Sequence, residues 1–139
     1  LHERFGKATM SDILAPTIRH AQEGFALTPV IAEAWANSAK RFAGYPGFKE
    51  QFMVLDESAP GRWRAPERGE TWKNPLLAAT LQSIVTKGRD GFYRGDIPAR
   101  IETYIKEQGG VLAATDFARH RGEWVQPVSA NYRGYDVWE

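Results

Sequence analysis

Cysteine is absent from this chain of 139 residues, which removes disulfides, thiolate metal sites and a cysteine nucleophile from consideration. The absence assigns no compartment, since reducing and oxidising environments both hold cysteine-free proteins. An excess of either charge is missing too: 18 Lys and Arg stand against 17 Asp and Glu, a net charge of +1. That balance leaves no electrostatic footprint for nucleic acid or an anionic membrane, so neither is expected as a partner. No apolar run approaches the roughly 20 residues that span a bilayer. The opening residues Leu1-His2-Glu3-Arg4-Phe5-Gly6 are followed by no apolar core of a signal peptide.

What is present is ordinary for a globular protein: 42% hydrophobic and 25% charged residues, at the size of a single domain. The punctuation is mostly helical. Between Ser11 and Gly24, Ile13, Leu14, Ile18 and Ala21 form a helical stripe, with Thr9 and Asp12 as a weak capping box. Pro16 is expected to kink that helix or to start a second one, having no N–H to donate. Thr28-Pro29 opens the next helix, with Ile31, Ala34, Trp35, Ser38 and Phe42 on one face and Gly44, Pro46 and Gly47 at its end. From Tyr45 to Lys73 the prolines and glycines predict a long ordered loop pinned by its tryptophans. Two short strands are expected in it, near Phe52-Met53-Val54 and Glu70-Thr71-Trp72.

Asn74-Pro75 repeats the cap-then-proline start, and Leu77, Leu81, Ile84 and Val85 follow to a stop at Gly88. Asp96 is the expected cap of a helix carrying Ile97, Ile101, Tyr104 and Ile105 and ended by Gly109-Gly110. Thr115 is the expected cap of a short helix reaching His120. The tail then changes to period two in residues 128–132 and 135–138, with Arg133-Gly134 placed to turn a hairpin. The fold class is therefore mainly α: four to five helices with a C-terminal β-strand or hairpin. A strand pair without partners predicts that the rest of a sheet lies beyond Glu139. The start at Leu1 and the end within a strand fit the same expectation, a piece of a larger protein over residues 1–139.

Motifs alone assign no chemistry. His2, His20 and His120 are too scattered for metal-ligand spacing. Asp116 and His120 stand four apart, but an acid in the first turn of a helix explains the pair equally well. Gly88 to Gly95 lacks the phosphate-loop order, and Gly109-Gly110 closes a helix where an anion site would open one. Arg62-Trp63-Arg64 and Arg68 suggest stacking on nucleic acid only until Glu57, Glu67 and Glu70 are counted among them; packing of arginine on tryptophan is the expected role.

Several segments taken together resemble one family. They are Glu3-Arg4-Phe5-Gly6-Lys7, Leu14-Ala15-Pro16, Ala21-Gln22-Glu23-Gly24-Phe25, and Asn74-Pro75-Leu76-Leu77-Ala78-Ala79-Thr80-Leu81. Next come Phe92-Tyr93-Arg94-Gly95, Gly109-Gly110-Val111-Leu112 with Thr115-Asp116-Phe117-Ala118, and Pro127-Val128 with Tyr132-Arg133-Gly134-Tyr135-Asp136-Val137. In this order and spacing they resemble the large subunit of γ-glutamyltransferases. The wording near Val137-Trp138-Glu139 is most similar to a bacterial branch that includes oxamate amidohydrolase; cephalosporin acylases are relatives.

The resemblance implies an N-terminal-nucleophile hydrolase of αββα architecture, made as a precursor that cuts itself into large and small subunits. A threonine at the start of the small subunit would attack a γ-glutamyl or related amide, with its own α-amino group as base. Implied partners are the remainder of the large subunit, the small catalytic subunit and a small-molecule amide; no cofactor is implied. The family's nucleophile falls downstream of Glu139 and its substrate-carboxylate arginine upstream of Leu1, so the resemblance transfers no catalytic, cofactor-binding or metal residue to this chain. Thr9, Thr28, Thr71, Thr80, Thr86, Thr103 and Thr115 are internal, and most are expected to be caps or helix-face residues. The compartment stays open between bacterial cytoplasm and periplasm. The competing reading is a stand-alone helical interaction module without enzymatic activity.

Overall fold

In the computed structural model, which describes residues 2–139, about half of the residues are helical. The chain forms two compact units, residues 1–92 and 93–139. No helix among the described residues is long and apolar enough to cross a membrane.

The first unit opens with α1 (His2–Phe5) and α2 (Met10–Glu23). Thr9 and Asp12 form the expected capping box at the start of α2: Thr9 Oγ1 accepts from Asp12 N at 3.1 Å, and Asp12 Oδ2 accepts from Thr9 N at 3.3 Å. Helix α2 runs unbroken through Pro16, so no second helix starts there. Gly24 ends it at φ 86°, where a side chain would collide with the Trp72 carbonyl oxygen. Thr28 caps α3 (Pro29–Phe42) through the Ile31 N–H, and Pro29 takes the first position as expected.

Asn74 caps α5 (Pro75–Lys87) and is itself buried: its Oδ1 accepts from Leu77 N at 2.9 Å and its N–H reaches the Ala21 carbonyl at 2.8 Å. That second bond ties the start of α5 to the end of α2. Ile18, Ala21 and Ala78 meet in the core, flanked by Leu14, Leu81 and Val85. Alanine at the closest approach lets the two backbones come near, while larger side chains close the flanks.

Two expected faces shift as a result. On α3 the buried residues are Ala32 and Ala39, with Trp35 and Phe42 half-buried, whereas Ile31, Ala34 and Ser38 are exposed. Ile13 and Leu77 likewise lie on the solvent side of their helices. The small residue wins the tight interface, which a count of apolar positions does not reveal.

The long segment after α3 is ordered, as expected, and holds more regular elements than its punctuation predicts. It contains α4 (Phe48–Phe52), β2 (Val54–Leu55), β3 (Trp63–Arg64) and β4 (Thr71–Trp72). Phe52 thus ends a helix, and the expected strand begins later, at Val54. Strands β2 and β3 pair antiparallel, and β4 pairs with β1 (Phe25–Ala26). The tryptophan pinning is as expected: the Trp72 ring lies 4.9 Å from Trp35 and 5.9 Å edge-on from Phe25, and Trp35 Nε1 donates to the Phe52 carbonyl at 2.8 Å. Beyond α5 the Gly88 to Gly95 stretch holds a further short helix, α6 (Asp90–Tyr93).

The second unit carries α7 (Asp96–Glu107), α8 (Ala114–Arg119), β5 (Ser129–Tyr132) and β6 (Tyr135–Trp138). Gly95, not Asp96, is the N-cap of α7, and Asp96 supplies first-turn charge. At its other end Gly109 N bonds Lys106 O and Gly110 N bonds Ile105 O, the paired bonds of a Schellman stop. Helix α8 begins one residue ahead of Thr115, with Ala113 at the cap; the Asp116 carboxylate accepts its N–H at 2.9 Å and supplies what alanine lacks. The tail forms the expected hairpin, with Tyr132 opposite Tyr135 and Ser129 opposite Trp138. Arg133 and Gly134 both have positive φ, 52° and 86°, which suits a two-residue turn between twisted strands.

The chain exposes 10995 Å². A compact monomer of its mass exposes roughly 7,200 Å², and even two wholly separate globules of these sizes would expose about 8,700 Å². Residues 121–139 are exposed throughout, and the largest apolar surfaces among them are Trp124, Val125, Val128, Tyr132, Tyr135, Val137 and Trp138.

Candidate functional site

Among the described residues, a bidentate ion pair spans the segment from β3 to β4. Arg64 grips Glu70 with both guanidinium nitrogens, Nη1 to Oε2 at 2.8 Å and Nη2 to Oε1 at 2.6 Å. Glu70 Oε2 also accepts from Glu67 N at 2.7 Å, while Arg64 Nη1 reaches the Ala65 carbonyl at 3.2 Å. The Arg64 bonds, then the Glu67 N–H, hold the Glu70 carboxyl down at about 2, and the same ion pair holds the guanidinium above its ordinary value. Pro66 is fully buried inside this clamp, and Leu27 is tied to its far side by Leu27 N to Glu70 O and Gly69 N to Leu27 O. Both carboxylate oxygens of Glu70 accept from Arg64, Oε2 also accepts from the Glu67 N–H and the Glu70 backbone carbonyl accepts from Leu27 N, so the clamp is a fastening.

Sequence inspection noticed the interleaved acids but not this pairing. Arg64 is fixed by a carboxylate six residues away, across Pro66, where packing on tryptophan is the sequence expectation. Helix and strand periodicities do not link positions at that distance around a proline. Two smaller clusters are also structural. Asp56 accepts from Ser58 Oγ and Ser58 N, lies 3.6 Å from Arg62, and is held below its ordinary value chiefly by the Ser58 hydroxyl. Glu102 is lowered first by Lys106 and then by Ala114 N, a pair of bonds that ties α7 to the start of α8.

The structure does not assemble the sequence candidates into a site. His2 Nε2 lies 2.8 Å from the Ala8 carbonyl. His20 is exposed near the end of α2, and His120 stacks on Tyr93 at 5.3 Å. The Asp116 carboxylate serves the Ala113 N–H. Among the described residues no group of three or more His, Asp or Glu could hold a metal ion. The threonines do local work: Thr9 and Thr28 cap helices, and the hydroxyls of Thr80, Thr86 and Thr103 donate to carbonyls four residues earlier. A depression of about 530 Å³ follows α7, lined by Asp96, Ala99, Arg100, Thr103, Tyr104 and Glu107. All six come from that one helix, so it has no opposing wall to enclose a ligand.

Against known proteins the likeness is extensive. A family model described as Gamma-glutamyltranspeptidase matches residues 1–139. The glutathione hydrolase-like YwrD proenzyme of Bacillus subtilis is 35% identical over 140 residues, 99% of this chain and 25% of the relative. The oxamate amidohydrolase proenzyme of Klebsiella pneumoniae is 29% identical over 126 residues, 91% of this chain and 22% of the relative. Among solved structures, Helicobacter pylori gamma-glutamyltranspeptidase superimposes with a TM-score of 0.82 at 30% identity, over 99% of this chain and 38% of that one. Cephalosporin acylase from Bacillus halodurans gives 0.80 at 35% identity, over 99% and 25%. The chain therefore spans about a quarter of the length of the first curated relatives it matches.

Proposed function

The chain belongs to the gamma-glutamyltranspeptidase family, and from that premise we propose that it is an internal segment of the large subunit of an N-terminal-nucleophile amidohydrolase. The parent enzyme hydrolyses or transfers γ-glutamyl or related amide groups. Its nucleophile is a threonine at the start of a small subunit, contributed from outside these 139 residues. Residues 1–139 supply scaffold and pocket wall in an αββα architecture, partnered by the rest of the large subunit and by the small subunit, and have no turnover of their own.

The observation that carries this proposal is the family match over the whole chain by a polypeptide that spans only a quarter of its relatives. Two features agree with it. Glu70, Asp116 and Glu102 each accept from a backbone N–H, as in a scaffold. The hydroxyls held by carboxylates, Thr9 by Asp12 and Ser58 by Asp56, close a helix cap and a turn, whereas acyl transfer needs a nucleophile, a base and oxyanion donors gathered within about 3 Å of one reacting carbon.

The test is maturation of the full-length parent protein. Expressed alone and purified, it is expected to convert to two subunits, the smaller beginning with threonine by mass spectrometry of its N-terminal peptide. A parent that stays one chain, or a small subunit with another first residue, overturns the proposed nucleophile.

A further inference from the structure

We draw no further inference here: the strongest candidate, the open depression along α7 lined by Arg100, Tyr104 and Glu107 among others, is the exposed face of a single helix, and nothing in the structure shows what covers it.

Discussion

Glu70 shows how a single carboxylate fastens a long connection. Its folded-state value, near 2, lies below the ordinary 4.5, so the clamp contributes stability that is complete above about pH 4.5 and is lost as pH falls toward 2. Both partners are partly open to solvent, with Arg64 27% and Glu70 37% exposed at the side chain, and screening holds the contribution to about 1 kcal/mol. Urea denaturation at pH 7 and pH 3 is expected to show Glu70→Gln less stable than the parent sequence at pH 7, with the gap narrowing at pH 3. A gap unchanged with pH contradicts the ionic account. Gly91 is the second residue with a sharp expectation. A Cβ there would run into the Ser83 carbonyl, with the carbonyl carbon 2.7 Å away, where Ser83 Oγ also bonds the Gly91 carbonyl. Gly91→Ala should therefore cost about 1–3 kcal/mol by overpacking, read as a lowered urea midpoint.

At the scale of elements, the sequence was most legible where the deciding chemistry is local. The Thr9–Asp12 box, the Thr28 and Asn74 caps and the Gly109-Gly110 stop each rest on bonds spanning three to five residues, and each lies where its residues predict. The hairpin was legible because Arg133-Gly134 separates two alternating runs. Arginine at φ 52° is tolerated there but not favoured. Arg133→Asn should stabilise the hairpin by a few tenths of a kcal/mol, seen as slower amide exchange at Ala130 and Tyr132, which face the partner strand.

The short helices α4 and α6 escaped notice because Gly47 and Gly88 precede them without a side-chain cap or a periodic apolar stripe. Strand β1 is two residues long and pairs with β4, more than forty positions away, so no local pattern marks it. The helix faces were partly misread for another reason. Ala32, Ala39 and Ala78 are buried because they are small, and size at a close approach is not a periodicity.

On the scale of the whole molecule, the surface argues for a covered life. The chain exposes 10995 Å², roughly 2,300 Å² beyond what two separate globules of these sizes would show. Residues 121–139 are exposed throughout and carry the apolar surfaces of Trp124, Val125, Val128, Tyr132, Tyr135, Val137 and Trp138. The expectation about the site comes from the resemblance, which puts the nucleophile outside these residues; the hydroxyl–carboxylate pairs that the structure forms, Thr9 with Asp12 and Ser58 with Asp56, close a helix cap and a turn. On the proposed reading, catalytic parts contributed by other segments leave these residues with structural ion pairs and open apolar faces.

The central claim is that these residues form part of a γ-glutamyl-type amidohydrolase without carrying its chemistry. The most direct measurement is release of p-nitroaniline from γ-glutamyl-p-nitroanilide, and of ammonia from oxamate, by the 139-residue chain and by the full-length parent under the same conditions. The account predicts turnover of at least one amide by the parent and none above a buffer blank by the isolated chain. Turnover by the isolated chain, proportional to its concentration, would contradict it.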